Sequence, residues 1–470
     1  MTSRNFEFTQ WQKNNKVQGL ARKIQQNGFA YLATHGLPNK QQEDWKYTKL
    51  PLNLHDLLNE YLVTNESLQS TTQKKSSWNS SQLKKIETEL QPYIQNEFIN
   101  IVLVDGVPCE PLSQWKLANQ YLQITAIQNR EAYKKSIHQF KILRKSIAPV
   151  RQDAMEAMNS AFHKTGLIIH LPDNQSVPKP IQIIYYQTQK YYYPKCFLTV
   201  GNRSHLKFIE TFVGGSALHP TQTDETSDDP SKNQHLMNST TEISLHENAR
   251  LGYVRLQKQN NTSLHVGCTR VYLQKNSNFE SLSYNSGAAI SRHNLDVLCL
   301  GAEAFASVNG LNLSQKNQHH DHHTNIEHVI GGATTTQLYK SILADQSRFV
   351  FDGRVHIRPQ AQKAYSEQLN NNLLLSDQAE ADSKPQLEIY ADDVKATHGS
   401  TVGQLNAEEI FYLQSRAIST EQAIKMLSLG YVYDLLQRIT SLDIQTWLGK
   451  ILKDEFNEKF SQVTTKGLVK

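Results

Sequence analysis

Residues 247–284 read ENARLGYVRLQKQNNTSLHVGCTRVYLQKNSNFESLSY. Leu251, Tyr253 and Arg255 alternate with Gly252, Val254 and Leu256, and Phe279-Glu-Ser-Leu282-Ser-Tyr284 alternates in the same way. A period of two is the signature of a β-strand. Between them lies another short β-branched and aromatic run, Thr269–Leu273, and turn-formers stand at Glu247-Asn248 and Asn276-Ser277-Asn278. Further turn clusters follow at Gly301-Ala302-Glu303 and Gly331-Gly332, so that two strands separate successive turns spaced about 25–30 residues apart. Similar runs occupy Gly166–Leu171, Pro180–Tyr186, Cys196–Val200, Leu206–Phe212, Glu242–Leu245, Asn294–Leu300 and Ala304–Leu311. No helical pattern interrupts them, which disfavours a doubly wound α/β sheet. A β-sandwich or barrel also supplies many short strands, but recurring rungs suit a parallel β-helix better.

The flanks read helical. Val17, Leu20, Ala21 and Ile24 fall on one helix face, with Asn27-Gly28 as a C-terminal stop. A polar loop leads to Glu43-Asp44-Trp45-Lys46-Tyr47-Thr48, residues 64–82 form a Ser/Thr/Gln/Asn-rich connector, and Ile101–Val104 reads as a buried strand entering a turn at Asp105-Gly106. Ala154–Phe162 is helical again. In the tail, Asn406 caps a helix bearing Ile410 and Leu413, Ser419 caps a second that carries Ala423, Ile424 and Leu427 before Gly430, and Leu442–Phe460 forms a third. The expected organisation is a mostly helical region over 1–165, a β-helix core over 166–402 with a polar insertion at 216–236, and a helical domain over 403–470.

Composition narrows the function. The chain has 470 residues with 49 Lys+Arg against 44 Asp+Glu, a net charge of +5 without long basic blocks, which argues against nucleic-acid binding. No apolar run approaches the ~18 residues of a membrane span, and the N-terminus lacks a signal-peptide apolar core. The 4 cysteines, at 109, 196, 268 and 299, form no CxxC pair. Scattered thiols fit a reducing compartment, and the expectation is a cytoplasmic protein. There is neither a phosphate-binding GxxxxGK[ST] loop nor a GxSxG elbow.

Two constellations stand out. His319-His320-Asp321-His322-His323, with Glu327-His328 behind it, offers imidazole and carboxylate, good ligands for zinc, iron or copper. On a strand, His319, Asp321 and His323 would share one face and His320 and His322 the other. The run also reads as a solvated polar loop. The second constellation is Leu387-Glu-Ile-Tyr-Ala-Asp-Asp-Val394-Lys-Ala-Thr-His398-Gly399, a strand with one face buried that places His398 where strand gives way to helical tail. Adjacent Asp392 and Asp393 would point to opposite faces, which weakens a paired-carboxylate glycosidase. Two alternatives remain open on the residues alone: a β-helix carbohydrate-active enzyme, and a stand-alone metal-binding protein using His319 and His323.

Phe351-Asp-Gly-Arg-Val355, Gln368-Leu-Asn-Asn-Asn-Leu-Leu-Leu-Ser376, Pro385-Gln-Leu-Glu-Ile-Tyr-Ala-Asp-Asp-Val394, His398-Gly-Ser-Thr401 and Phe411-Tyr-Leu-Gln-Ser-Arg416 follow in order. Together they closely resemble the SufB/SufD family of iron–sulfur cluster assembly proteins. The Glu43–Thr48 segment and the His398-Gly399 step match its SufD branch, and the resemblance spans about residues 15 to 440.

The resemblance implies a right-handed parallel β-helix between a helical N-terminal region and a C-terminal helical domain. It implies a non-enzymatic scaffold that pairs with a SufB-like paralogue through the end of the β-helix and with a SufC-like ABC ATPase through the C-terminal helices. Sulfur would come from a separate desulfurase. No cofactor is expected to be bound tightly by the chain alone; a transient iron–sulfur cluster or iron would be shared with the paralogue. His398 matches the family histidine at that interface, where a cysteine of the paralogue lies opposite. Glu408, Phe411, Tyr412 and Arg416 fall in the segment expected to meet or support the ATPase. Alone, the chain would accept a second copy of itself at the paralogue interface. Ala396 stands where some relatives carry a cysteine, and Ala417 where a glycine is common.

Overall fold

The computed structural model describes residues 19–53, 57, 78–145, 153–214 and 234–459. Val17, most of the 64–82 connector, residues 216–233 of the expected insertion, and Phe460 lie outside the described residues.

Among the described residues the chain forms two ten-stranded sheets wound as a β-solenoid of about 8 turns. Sheet A runs through Ile99–Val104, Ile181–Gln187, His205–Gly214, Arg250–Gln257, Asn278–Asn285, Phe305–Ser314, Thr334–Leu343, Tyr365–Leu374 and Lys395–Gly403. Sheet B runs through Gly166–Leu171, Lys195–Val200, Leu236–Leu245, Leu264–Leu273, Ile290–Cys299, His319–His328, Arg348–Ile357 and Glu380–Ile389. These strands pair in parallel, and in sheet A the same strand position recurs rung after rung: Arg250 lies beside Asn278, Asn278 beside Phe305, Phe305 beside Thr334, Thr334 beside Tyr365 and Tyr365 beside Lys395.

The turn clusters set this register. Each strand of sheet A from His205–Gly214 to Tyr365–Leu374 is preceded, two residues upstream, by a residue in the left-handed region: Arg203, Asn248, Asn276, Glu303, Gly332 and Lys363, with φ between 52° and 79°. Asparagine and glycine adopt that conformation at least cost. Asn276 Nδ2 also donates to Asn248 Oδ1 at 2.5 Å, tying one turn to the next.

The strands are longer than alternation alone indicates, because the lumen is not uniformly apolar. It is filled by Ile183, Phe208, Leu251 and Phe279 in the early rungs, and increasingly by buried polar side chains such as His293, His322, Gln337 and Gln368 in the later ones.

Helices cover the outer faces. On sheet B, Gly19–His35 packs against Ala154–Phe162. Gly28 is not a stop: the helix runs through it, and a Cβ there would come within 2.5 Å of the Ala157 carbonyl oxygen, so glycine permits the close crossing. On sheet A, Thr420–Gln437 and Leu442–Lys459 lay Ile424, Leu435, Trp447 and Ile451 onto Leu282, Leu311, Leu338 and Ile342. Burying such a side chain is worth about 1.5–3 kcal/mol. The buried Glu455 carboxylate, bonded to Tyr284 and Lys258, fixes the last helix, and Lys340 Nζ reaches Asp434 Oδ1 at 2.7 Å. The Asn406 and Ser419 side chains cap their helices as their sequence positions predict, and the second tail helix continues through Gly430.

Gly310 illustrates the tolerance of the packing. A Cβ there would lie 2.1 Å from the ring of the buried Tyr339 on the next rung. Gly310→Ala is expected to lower stability by about 1–3 kcal/mol, and Tyr339→Leu to relieve part of that penalty in the double mutant. Denaturant midpoints of the four proteins check it.

Candidate functional site

The two ends of the solenoid differ. At the first end each sheet finishes in a short antiparallel strand: Val107–Pro108 against Ile99–Val104, and Gln123–Ala126 against Gly166–Leu171. Short edges and an edge proline are what proteins use to blunt a sheet margin. At the last end Glu380–Ile389 and Lys395–Gly403, of 10 and 9 residues, each pair with the preceding rung only. Among the described residues their outer margins have no strand partner, and Val402 (52% exposed), Ile389 and Tyr390 add apolar surface.

His398 lies on this end. It sits within the strand Lys395–Gly403 rather than at the boundary with the tail, beside Gln368 of the rung below. Gln368 belongs to the lumen-facing set of its strand, with Ser366, Asn370 and Asn372, all buried. His398 therefore occupies a lumen-facing position on a rung that no described residue covers, and it is exposed for that reason. The strand expected around Leu387 spans Glu380–Ile389; Ala391, Asp392 and Asp393 lie in the connection to the last strand. Asn370 and Asn372 are joined through their side chains: Asn372 Nδ2 donates to Asn370 Oδ1 at 2.8 Å, and Asn372 Oδ1 accepts from Ser341 Oγ at 2.6 Å.

The histidine run is a strand, His319–His328, inside sheet B and not a solvated loop. Alternation places His320 and His322 in the interior and His319, Asp321 and His323 outward, where the Glu43–Thr48 segment docks. Thr48 Oγ1 donates to Asp321 Oδ2 at 2.5 Å and lies 2.8 Å from His319 Nε2. His323 Nε2 stands 2.9 Å from Asp321 Oδ1, and Arg292 Nη1 3.0 Å from Asp321 Oδ2. Arg292 also lies 3.8 Å from the Trp45 ring centroid and donates to the Asp44 carbonyl. Burial alone would raise the Asp321 pKa; His323 and Arg292, with the hydrogen bonds from His323 and Thr48, outweigh it and hold the carboxyl well below the usual range. In this arrangement the outward groups dock the N-terminal segment. Among the described residues no three His, Cys, Asp or Glu side chains are grouped to hold a metal ion.

The partner-binding candidates form a separate surface. Phe411 and Tyr412 are 71% and 55% exposed on the helix Ala407–Gln414, the Arg416 guanidinium lies 4.4 Å from the Tyr412 ring centroid, and Glu408 is exposed in the first turn. The two large aromatics stand exposed side by side on this helix. Just beyond, Ala417 has φ +61°, the left-handed turn that glycine would make without strain.

The cysteines are free. Cys109, Cys196 and Cys299 are buried, and burial pushes the Cys299 thiol up to about 12. Gln368, the register neighbour of His398, does not stand out in the sequence; aligning the rungs, with Gln337, Gln368 and His398 spaced 31 and 30 residues apart, finds the column.

A family model for the SUF system FeS cluster assembly SufBD core domain matches residues 184–431, and one for the SufBD N-terminal region matches residues 10–183. The chain belongs to the SufBD family of iron–sulfur cluster assembly proteins. It is 28% identical over 439 residues to the iron–sulfur cluster assembly protein SufD of Escherichia coli strain K12, a match covering 92% of each chain. A SufBD family protein of Synechocystis is 30% identical over 292 residues, 61% of this chain and 63% of that one. The chloroplastic protein ABCI7 of Arabidopsis thaliana is 28% identical over 291 residues, 59% and 58% of the two chains.

The buried histidines make stability pH-dependent. Burial holds His163 and His322 down at about 3 and His328 at about 4, so all three stay neutral in the fold while the unfolded chain protonates near 6.5. Their contribution is complete above that pH and is lost as pH falls from 6.5 toward about 4 for His328 and about 3 for His163 and His322. Each is expected to cost about 2 kcal/mol between pH 6.5 and 5. Urea unfolding at the two pH values checks this, with His322→Leu flattening the dependence by one histidine's share.

Proposed function

We propose that this chain is a non-enzymatic scaffold subunit of a SufB–SufC–SufD-type complex in the cytoplasm. In this reading a SufB-like paralogue continues the solenoid from the open end, and a SufC-like ABC ATPase docks on the surface carrying Phe411 and Tyr412. The observation that carries the reading is the asymmetry of the ends: a blunted first edge, and a last rung of two full-length strands with His398 exposed on it.

A related solenoid would supply the missing strand partners by β-augmentation, in which main-chain hydrogen bonds give affinity and side chains give selectivity. Lys384, Lys395, Glu380 and Glu388 on the two end strands keep the uncovered end soluble and favour a partner of complementary charge. A second copy of the chain can occupy the same end in the absence of the paralogue. The cluster is cargo, held by ligands from both subunits. His398, as neutral imidazole, is this chain's ligand, in keeping with thiols that are buried and dispersed. The ATP-binding loop is missing from this sequence because hydrolysis belongs to the ATPase subunit.

Two substitutions test the reading in a complex co-expressed with the paralogue and the ATPase. His398→Ala is expected to leave unfolding and both pull-downs unchanged while abolishing cluster formation from ferrous iron and sulfide; a wild-type cluster yield overturns the role of His398. Phe411→Asp is expected to weaken ATPase capture at least tenfold and leave the paralogue bound. Truncation is a poorer test, since the tail helices cover the apolar outer face of sheet A.

A further inference from the structure

The lumen-facing column that ends at His398 runs downward through Gln368, Gln337, Val308, Ser281 and Tyr253, each the register partner of the next. Gln337 keeps one bond across the lumen, its Oε1 accepting from Thr324 Oγ1 at 2.8 Å, while its Nε2 has none. Gln368 is different. It is completely buried, yet neither its Oε1 nor its Nε2 has a hydrogen-bond partner. A buried amide left without partners costs about 1–3 kcal/mol per group, so its retention calls for an explanation.

Gly353, in the sheet opposite, makes room for this amide: a Cβ there would lie 2.4 Å from Gln368 Nε2. Two of the segments noted in the sequence, Phe351–Val355 and Gln368–Ser376, thus meet in the lumen one rung beneath His398. The adjacent strand position, at the rung spacing of about 4.8 Å, puts the imidazole within reach of the amide by side-chain rotation alone.

We propose that Gln368 is a positioning residue for His398. When the open end is covered, its Oε1 accepts the N–H of the imidazole, which fixes the ring's tautomer and leaves the lone pair of the other nitrogen to bind iron. A ligand histidine normally has such an outer partner on its second nitrogen, and losing it costs 10–100-fold in affinity or activity. The inference rests on the reading of His398 as the interface ligand. Gln337, held by Thr324, closes the column from below and keeps the Gln368 amide from swinging deeper.

The test uses the complex reconstituted with the paralogue and the ATPase, with ferrous iron and inorganic sulfide as probes. Gln368→Leu, an apolar replacement of similar volume, is expected to lower cluster yield at least tenfold with both pull-downs intact. Gln368→Glu is expected to stay within about twofold of wild type, because a carboxylate oxygen accepts the same N–H. A purely structural role predicts the reverse order, since a buried carboxylate is worse for folding than leucine. Wild-type yield for Gln368→Leu, or a Gln368→Glu yield below it, overturns the proposal. Gly353→Ala gives a check with Gln368 intact: displacing the amide should lower the yield as well, and an undiminished yield in a folded, partner-bound Gly353→Ala complex also overturns it. His398→Ala run in parallel separates the two claims. If it forms clusters normally, the ligand reading has failed; if it fails to form them while the Gln368 variants are normal, only the positioning role has.

Discussion

The structure depends on one constraint: in a parallel ladder, the backbone N–H and C=O groups of a strand are satisfied only by the strands above and below it. Unpaired backbone groups are costly when buried and sticky when exposed. Interior rungs meet the requirement by stacking in constant register. The terminal rungs cannot, and the chain treats them differently. Its first edges are shortened to 2 and 4 residues and turned antiparallel, while its last two strands keep full length. Lumen-facing side chains of that last rung are exposed for the same reason. The location of His398 follows from the topology.

Constant register makes positions in successive rungs neighbours in space, and this is why the lumen can change character along its axis. The early rungs are mainly apolar around the buried Glu210, which is bonded to Tyr185, Tyr253 and Thr241, whereas the later ones hold more polar groups, among them His293 and His322, whose ring centroids are 5.9 Å apart, and Gln337 and Gln368. Such a lumen contributes less hydrophobic stabilisation per rung. Part of the compensation comes from outside, where the tail helices bury aliphatic side chains on sheet A and the N-terminal helices do so on sheet B. The ends of the chain are thus structural supports for the solenoid as well as carriers of surface, and Phe411 and Tyr412 project from a support that is fixed through Ile410.

Much of this was legible in the sequence. Asn248, Asn276 and Gly332 mark turns because left-handed backbone selects those residue types, and Asn406 and Ser419 mark helix starts because the first N–H groups need acceptors. Other features were hidden for physical reasons. His319–His328 looks like solvated loop because polar lumen residues erase the apolar alternation that identifies a strand. Gly28 looks like a helix stop because a single sequence does not distinguish a glycine that ends a helix from one that admits a second helix. Leu387 and Ile389 look half-buried because alternation does not show that their strand is the last. His398 was singled out through the family resemblance; only the register shows that it shares a column with Gln368.

In the proposed function, the chain supplies one end of an assembly surface, and its chemistry is completed by the partner that continues the ladder. The most direct measurement is backbone hydrogen exchange at Lys395–Gly403, in the monomeric chain and in its complex with the SufB-like paralogue. The account predicts fast exchange in the monomer for the amides of this strand that face outward, and strong protection in the complex, with the interior strand Thr334–Leu343 protected in both. Unchanged exchange at Lys395–Gly403 when the paralogue is bound would contradict it.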